Sequence, residues 1–219
     1  MTRRRTPVAV LISGRGSNLQ ALIDADADPA YPAKIVLVIA NEPGAAGLAR
    51  AAGAGIATAT IDHRDFATRD EFDSALTTAL AKAGVEIVCL AGFMRILGPA
   101  FTGRWADRLL NIHPSLLPAF PGLHTHARAL AAGVKLHGCT VHLVRAELDD
   151  GPIIGQAAVP VLPDDDEATL AARVLAVEHR LYPRCLRLVA EGKVTVAGYR
   201  AVLPKGGTDA DTFLVNPAT

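Results

Sequence analysis

Two unbroken apolar runs, "VAVLIS" (residues 8–13) and "KIVLVIAN" (34–41), limit what this chain can become more than any other feature. A strand with one wet face alternates apolar and polar residues, whereas these runs have no polar face to offer water. They fit a parallel sheet covered on both sides. "IATATI" (56–61) is a weaker third run and "VEIVCLAGF" (85–93) a fourth. Between them lie "SNLQALIDA", "AAGLARAAGA" and "DEFDSALTTALAKAG", of which the last opens on Asp and closes on Gly as helices prefer. Strands alternating with helices predict an α/β fold: an open, mostly parallel, Rossmann-like twisted sheet flanked by helices.

The second half is different. "RLLNIHP" supplies a fifth strand, followed by a Pro-, Gly- and His-rich loop from Ser115 to about Lys135. "GCTVHLV" and "PIIGQAAVPV" are predicted to pair antiparallel and extend the sheet. "DEATLAARVLAVEHRLYPRCLRLVAEG" reads as one long amphipathic helix bent at Pro183, and "VTVAGYRAV" as two short strands before a polar tail.

Composition narrows the function. Lys+Arg and Asp+Glu both number 22, so there is no net charge to suit a nucleic-acid partner, and "TRRR" at the start reads as a solvated tail. No apolar run reaches the 18 or so residues of a membrane span, and no signal-peptide pattern is present. We therefore expect a cytoplasmic protein. Cys89, Cys139 and Cys185 are widely spaced and set in apolar surroundings, which predicts buried free thiols.

Three short constellations offer chemistry. "SGRGSN" (13–18) follows the first strand and opens a helix, where backbone N–H groups and the helix N-terminus favour an anion. It is neither a Walker loop nor a GxGxxG fingerprint, since Leu19 stands where the third glycine would fall. In Asn111-x-His113 the two side chains share one strand face and Pro114 ends the strand. An amide beside a proton donor suits a carbonyl oxygen that becomes negative, but a strand-end Asn and His can equally satisfy loop backbone. "ELDDGPII" (147–154) places carboxylates in a turn, either as ordinary turn residues or as partners that favour a protonated imidazole. His113, His124, His126, His137 and His142 crowd this half, yet no HExxH or Cys partner accompanies them, and no metal site is expected. No nucleophile-elbow motif frames Ser115, and Cys139 lies within an apolar strand.

Together, "VLISGRGSNLQALIDA", "LAGFMRIL", "LLNIHPSLLPAFPGLHTH", "HGCTVHLV" and "DDGPIIGQAAVPV" resemble the glycinamide ribonucleotide formyltransferase family of folate-dependent enzymes over nearly the whole chain. The resemblance implies transfer of the formyl group of 10-formyltetrahydrofolate, a cosubstrate, to the amino group of glycinamide ribonucleotide, without a metal. It implies Asn111, His113 and Asp149 as the catalytic residues. Gly14, Arg15, Gly16, Ser17 and Asn18 would hold the ribonucleotide phosphate and Glu178 the glycinamide ribonucleotide. Met94, Arg95, Ile96 and Leu97, with Arg145, Ala146, Glu147 and Leu148, would border the folate, and Arg69 would meet its glutamate tail. Asp150 fills the variable place between Asp149 and Gly151.

A single domain is expected over 1–219: a phosphate-binding half (1–105), a folate-binding and catalytic half (106–203) and a tail (204–219). We expect small-molecule partners only, no nucleic acid or membrane, and a monomer or homodimer. Methionyl-tRNA formyltransferase shares "SLLP" but follows it with an Arg-Gly pair and carries a basic tRNA domain. Formyltetrahydrofolate deformylase usually carries an N-terminal regulatory domain, which is not expected here with the glycine loop at residue 13. A non-catalytic nucleotide-binding regulator would keep "SGRGSN" but would not need the polar trio.

Overall fold

The computed structural model describes residues 4–203; the expected tail, 204–219, lies outside them. The first four strands are β1 (Thr6–Ile12), β2 (Ala33–Ala40), β3 (Ala57–Thr60) and β4 (Ile87–Leu90). They are followed by β5 (Leu109–His113), β6 (Leu136–Leu143) and β7 (Ile153–Pro160). All seven form one sheet in the order β3-β2-β1-β4-β5-β6-β7, and β8 (Thr195–Ala197) pairs with β9 (Arg200–Val202) as a separate ribbon. Pairing is parallel through β5 and antiparallel across β5–β6 and β6–β7, as the composition of the two halves predicts.

The continuous apolar runs are explained by two cores, one on each face of the sheet. Val8, Val10 and Ile12 of β1 pack on one side, where α1 (Ser17–Asp26), α2 (Ala46–Gly53) and α6 (Glu167–Ala190) cover them. Ala9 and Leu11 face the other way, beneath α3 (Arg69–Lys82) and α4 (Pro99–Arg104). Each fully buried Leu or Ile contributes roughly 1.5–3 kcal/mol, so a polar residue on either face of β1 would be costly.

Helix ends follow local chemistry with one correction. Thr68, not Asp70, caps α3, in a reciprocal box with Glu71. Helix α6 runs through Pro183, whose carbonyl accepts from the Tyr31 hydroxyl at 2.7 Å. The Ser115–Lys135 segment is not wholly loop, because Thr125–Ala131 forms α5. The early arginines are not merely solvated: Arg5 pairs with Asp26 and donates to the Ala33 carbonyl, and Arg4 pairs with Glu86.

The strand order reverses between β1 and β4. Connections after these strands leave toward opposite faces, which opens a crevice at their carboxyl ends. The glycine loop, the 91–98 segment and the end of β5 all reach that crevice.

Candidate active site

At the end of β5, Ile112 packs into a core while Asn111 and His113 face the crevice. Antiparallel register sets Asn111 opposite His142 of β6, and the two side chains meet at 3.2 Å. His142 is buried, which pushes its imidazole below the ordinary value and keeps it neutral near pH 7. Its Nδ1 lies 3.3 Å from the Leu143 carbonyl, so Nδ1 carries the proton and Nε2 accepts from the Asn111 amide. His142 thereby orients Asn111 and leaves the second amide N–H free to donate. In the sequence His142 stands only among the crowded histidines; its contact with Asn111 appears once β5 and β6 are in register.

His113 is almost fully buried, with Asp149 Oδ1 3.3 Å from its Nδ1 and the Phe120 carbonyl 3.1 Å from its Nε2. Both ring nitrogens face oxygen acceptors, and only the doubly protonated ring donates to both. The other carboxylate oxygen of Asp149 accepts from the Gly122 N–H at 2.7 Å. Asp149 reaches this position from a left-handed backbone conformation (φ 51°), and Gly151 follows with φ 130°. A Cβ on Gly151 would stand 2.0 Å from the Leu143 carbonyl, so the glycine of "DDG" is required for the turn to close on β6.

The Phe120 carbonyl is itself held in place. Thr140 on β6 donates to the Ser115 carbonyl at 2.7 Å and accepts from the Leu117 N–H at 3.0 Å. Gln156 on β7 donates to both the Leu117 carbonyl and the Thr140 hydroxyl. This network, buried at Thr140 and Ser115, pins the "SLLPAF" segment, which contains a cis Leu117–Pro118 bond, onto the antiparallel strands. Thr140 and Gln156 were not singled out in the sequence, because neither belongs to a local motif.

Asn111, His142 and Asp149 line a cavity of about 110 Å³ together with Arg95, Ile96, Leu97 and the 145–148 segment. Seven of the eight residues expected to border a folate therefore share one wall system with two of the catalytic candidates. The eighth, Met94, is exposed outside the lining, and its N–H donates to the Ser13 hydroxyl. Arg69 lines a neighbouring cavity of about 140 Å³ that shares Arg95 and Ile96 with the first.

The glycine loop is built on the same crevice. Gly16 caps α1 in the left-handed conformation (φ 70°), and no side chain caps that helix end. The first-turn N–H groups, including those of Ser17 and Asn18, thus have no intrahelical acceptor. A Cβ on Gly16 would come within 2.7 Å of Gly47 Cα, so its smallness serves helix packing as well as any approach by a ligand. Gly14 and Arg15 are exposed, and Ser17 is half-buried. The Asn18 side chain does not face the loop's open side: its amide donates to Glu178 on α6 at 2.6 Å. Burial pushes the Glu178 carboxyl up, and the Asn18 bond partly offsets this. Two residues predicted separately for the ribonucleotide, 160 positions apart, thus meet directly.

Among the described residues, no three or more His, Cys, Asp or Glu side chains gather with the geometry to hold a metal ion, and no helix is long and apolar enough to cross a membrane. The three cysteines are buried and free. Burial pushes each thiol up to about 12.

The chain is similar to known proteins over most of its length. The chain is 49% identical to the phosphoribosylglycinamide formyltransferase of Escherichia coli over 187 residues, covering 85% of this chain and 88% of that protein. It is 53% identical to a trifunctional purine biosynthetic protein adenosine-3 of Drosophila melanogaster over 90% of its own length, but spans only 15% of that longer protein. The crystal structure of glycinamide ribonucleotide transformylase 1 from Symbiobacterium toebii superposes with a TM-score of 0.89 at 47% identity, covering 91% of this chain and 94% of that one. The formyl transferase family model matches residues 6–186, and with the parallel sheet, the β5 end and the acidic turn all inside that span, the chain belongs to the formyl transferase family.

Proposed function

We infer that this protein transfers the formyl group of 10-formyltetrahydrofolate to the amino group of glycinamide ribonucleotide in purine biosynthesis. The observation that carries this reading is Asp149, which holds His113 through one carboxylate oxygen and lines the same cavity as Asn111. An uncharged amine attacks the formyl carbon and produces a tetrahedral intermediate with a negative oxygen and a positive nitrogen. The free N–H of Asn111 donates to that oxygen. His113, doubly protonated between Asp149 and the Phe120 carbonyl, exchanges the neutral carbonyl for the stronger anionic acceptor, or for the departing folate nitrogen. Asp149 favours the imidazolium and accepts the amine's proton through water. Adjacent binding of the two substrates supplies the orientation, and no covalent enzyme intermediate is needed.

In this reading the Gly14–Asn18 loop and the open N-terminus of α1 hold the phosphate, with Glu178 against the glycinamide ribonucleotide. The 95–97 and 145–148 walls, with Met94 at their edge, take the folate, and Arg69 with Arg95 receives its glutamate carboxylates. The 1–105 half contributes the phosphate loop and one folate wall, and the 106–203 half the catalytic residues, the other folate wall and Glu178, within one sheet.

The test is purified protein with 10-formyltetrahydrofolate, with and without glycinamide ribonucleotide, monitored for tetrahydrofolate. Release that depends on the amine is expected. Release in water alone would make the protein a deformylase, and release under neither condition would leave a binding protein.

A further inference from the structure

A third cavity, about 320 Å³, lies at the opposite end of the sheet from the reaction centre. Thr77 and Ala81 of α3, with Val85, form one wall, and Arg104, Trp105 and Arg108 form the other. Val85 stands just before β4 and Arg108 just before β5, so the cavity opens at the amino ends of strands whose carboxyl ends carry the catalytic candidates. Five residues of strand, roughly 16 Å, separate Arg108 from His113.

The two guanidinium groups are the unusual feature. Arg104 and Arg108 are exposed, and neither pairs with a carboxylate among the described residues; Asp107, between them, pairs instead with Arg145. Arg108 is held in place: its guanidinium lies over the Trp105 ring, 5.2 Å from the centroid, and donates to the Arg104 carbonyl at 3.0 Å. Trp105 is 5% exposed, and its indole N–H is buried with no acceptor.

We propose that this cavity binds a small phosphate monoester. Two planar guanidinium forks without competing carboxylates match phosphate oxygens, and no acidic side chain lines the cavity to oppose them. The volume falls at the lower end of the roughly 300–1,000 Å³ typical of small-molecule sites and exceeds what a bare phosphate needs. Val85, Ala81 and the Trp105 ring supply an apolar wall for the organic part. The proposal does not depend on formyl transfer and concerns a site separate from the glycine loop.

Trp105 is the only tryptophan in the chain, so its indole N–H resonance reports this cavity and not the phosphate site at α1. Ribose 5-phosphate titrated into ¹⁵N-labelled protein is expected to move that resonance along a saturable curve. The Arg104→Gln/Arg108→Gln pair should abolish the shift while formyl-transfer kinetics stay at the parent level. If that pair disturbs folding, Arg104→Lys/Arg108→Lys keeps the charge but loses the forks, and should weaken binding about tenfold. No saturable shift, or an unchanged half-saturation in a folded variant pair, overturns the proposal. So does an equal response to ribose, which lacks the phosphate, or to succinate, which would make the cavity a general dianion site.

Discussion

Around Gly14–Asn18 the groups offered to a ligand are backbone N–H groups, set by α1 and by the close approach of Gly16 to Gly47. Around Asn111–Asp149 they are side chains, each aimed by another polar group: Asn111 by His142, His113 by the Phe120 carbonyl, and Asp149 by the Gly122 N–H. The first region is stiff because the fold is stiff, so a substitution there acts through the fold. In the second, a side chain can change while the strand carrying it stays intact. Binding and chemistry should therefore separate by mutation, with loss of stability marking the first region and loss of turnover the second.

The largest expected effect breaks the comparison from the catalytic side. Asp149→Asn is nearly isosteric but removes the charge beside His113, and should lower kcat on the order of 10³-fold. Asn111→Ala should lower it on the order of 10²–10³-fold. Steady-state transfer assays read both effects, and melting temperatures should stay near the parent value. Asp150→Asn is the control and should retain activity within a few-fold; a dead Asp150→Asn beside a live Asp149→Asn would shift the acidic turn by one residue.

Gly16→Val tests the other region. Its Cβ would meet the α2 backbone and its φ is positive, which together cost about 2–4 kcal/mol. Urea unfolding should show that loss, with the affinity of both substrates falling together. A stable Gly16→Val that loses only ribonucleotide binding would mean the loop is more pliable than its packing implies.

Glu178→Gln sharpens the point where the two designs meet. Burial raises the Glu178 carboxyl in the fold, so its contribution to stability is greatest below the unfolded carboxylate pKa and is lost as pH rises through the folded value. At pH 7.5 the glutamine removes this cost and can still accept from Asn18. The melting temperature should rise by about 2 °C, while KM for the ribonucleotide rises about tenfold. A lower melting temperature would show that the charge helps to hold α1 to α6.

The smallest effect concerns His137, buried edge-on to His126 with centroids 5.3 Å apart. Burial first, and then His126, pushes His137 down to about 4. The group stays neutral in the fold while the unfolded chain takes up a proton near pH 6.5. Stability should thus fall as pH drops from about 6.5 to about 4 and be insensitive to this group below that. Urea midpoints at pH 7 and pH 5 should differ less in His137→Gln than in the parent.

Much of this was legible in the chain because it is local. A strand buried on both faces shows in its own residues, as in "VAVLIS" and "KIVLVIAN", and the end of α3 shows in Gly84, whereas its true cap, Thr68, stands two residues before the Asp that the composition suggests. The Asn-x-His pair needed only the two-residue period of a strand to be placed on one face, and "DDG" only a glycine that permits the turn. The α5 helix was missed because seven residues among Pro, Gly and His have too little periodicity to distinguish them from loop.

The sequence by itself therefore determined the α/β architecture, its change to antiparallel strands and the residue types at the candidate site. Only the tertiary structure decided which of those residues touch. His142 meets Asn111 because antiparallel register sets β6 against β5, and a one-residue slip would turn it to the other face. Asn18 meets Glu178 because α6 packs across α1, and Gly16 requires Gly47 because α2 lies against the loop. Such pairings depend on how distant segments share one buried volume, and no single segment carries that information.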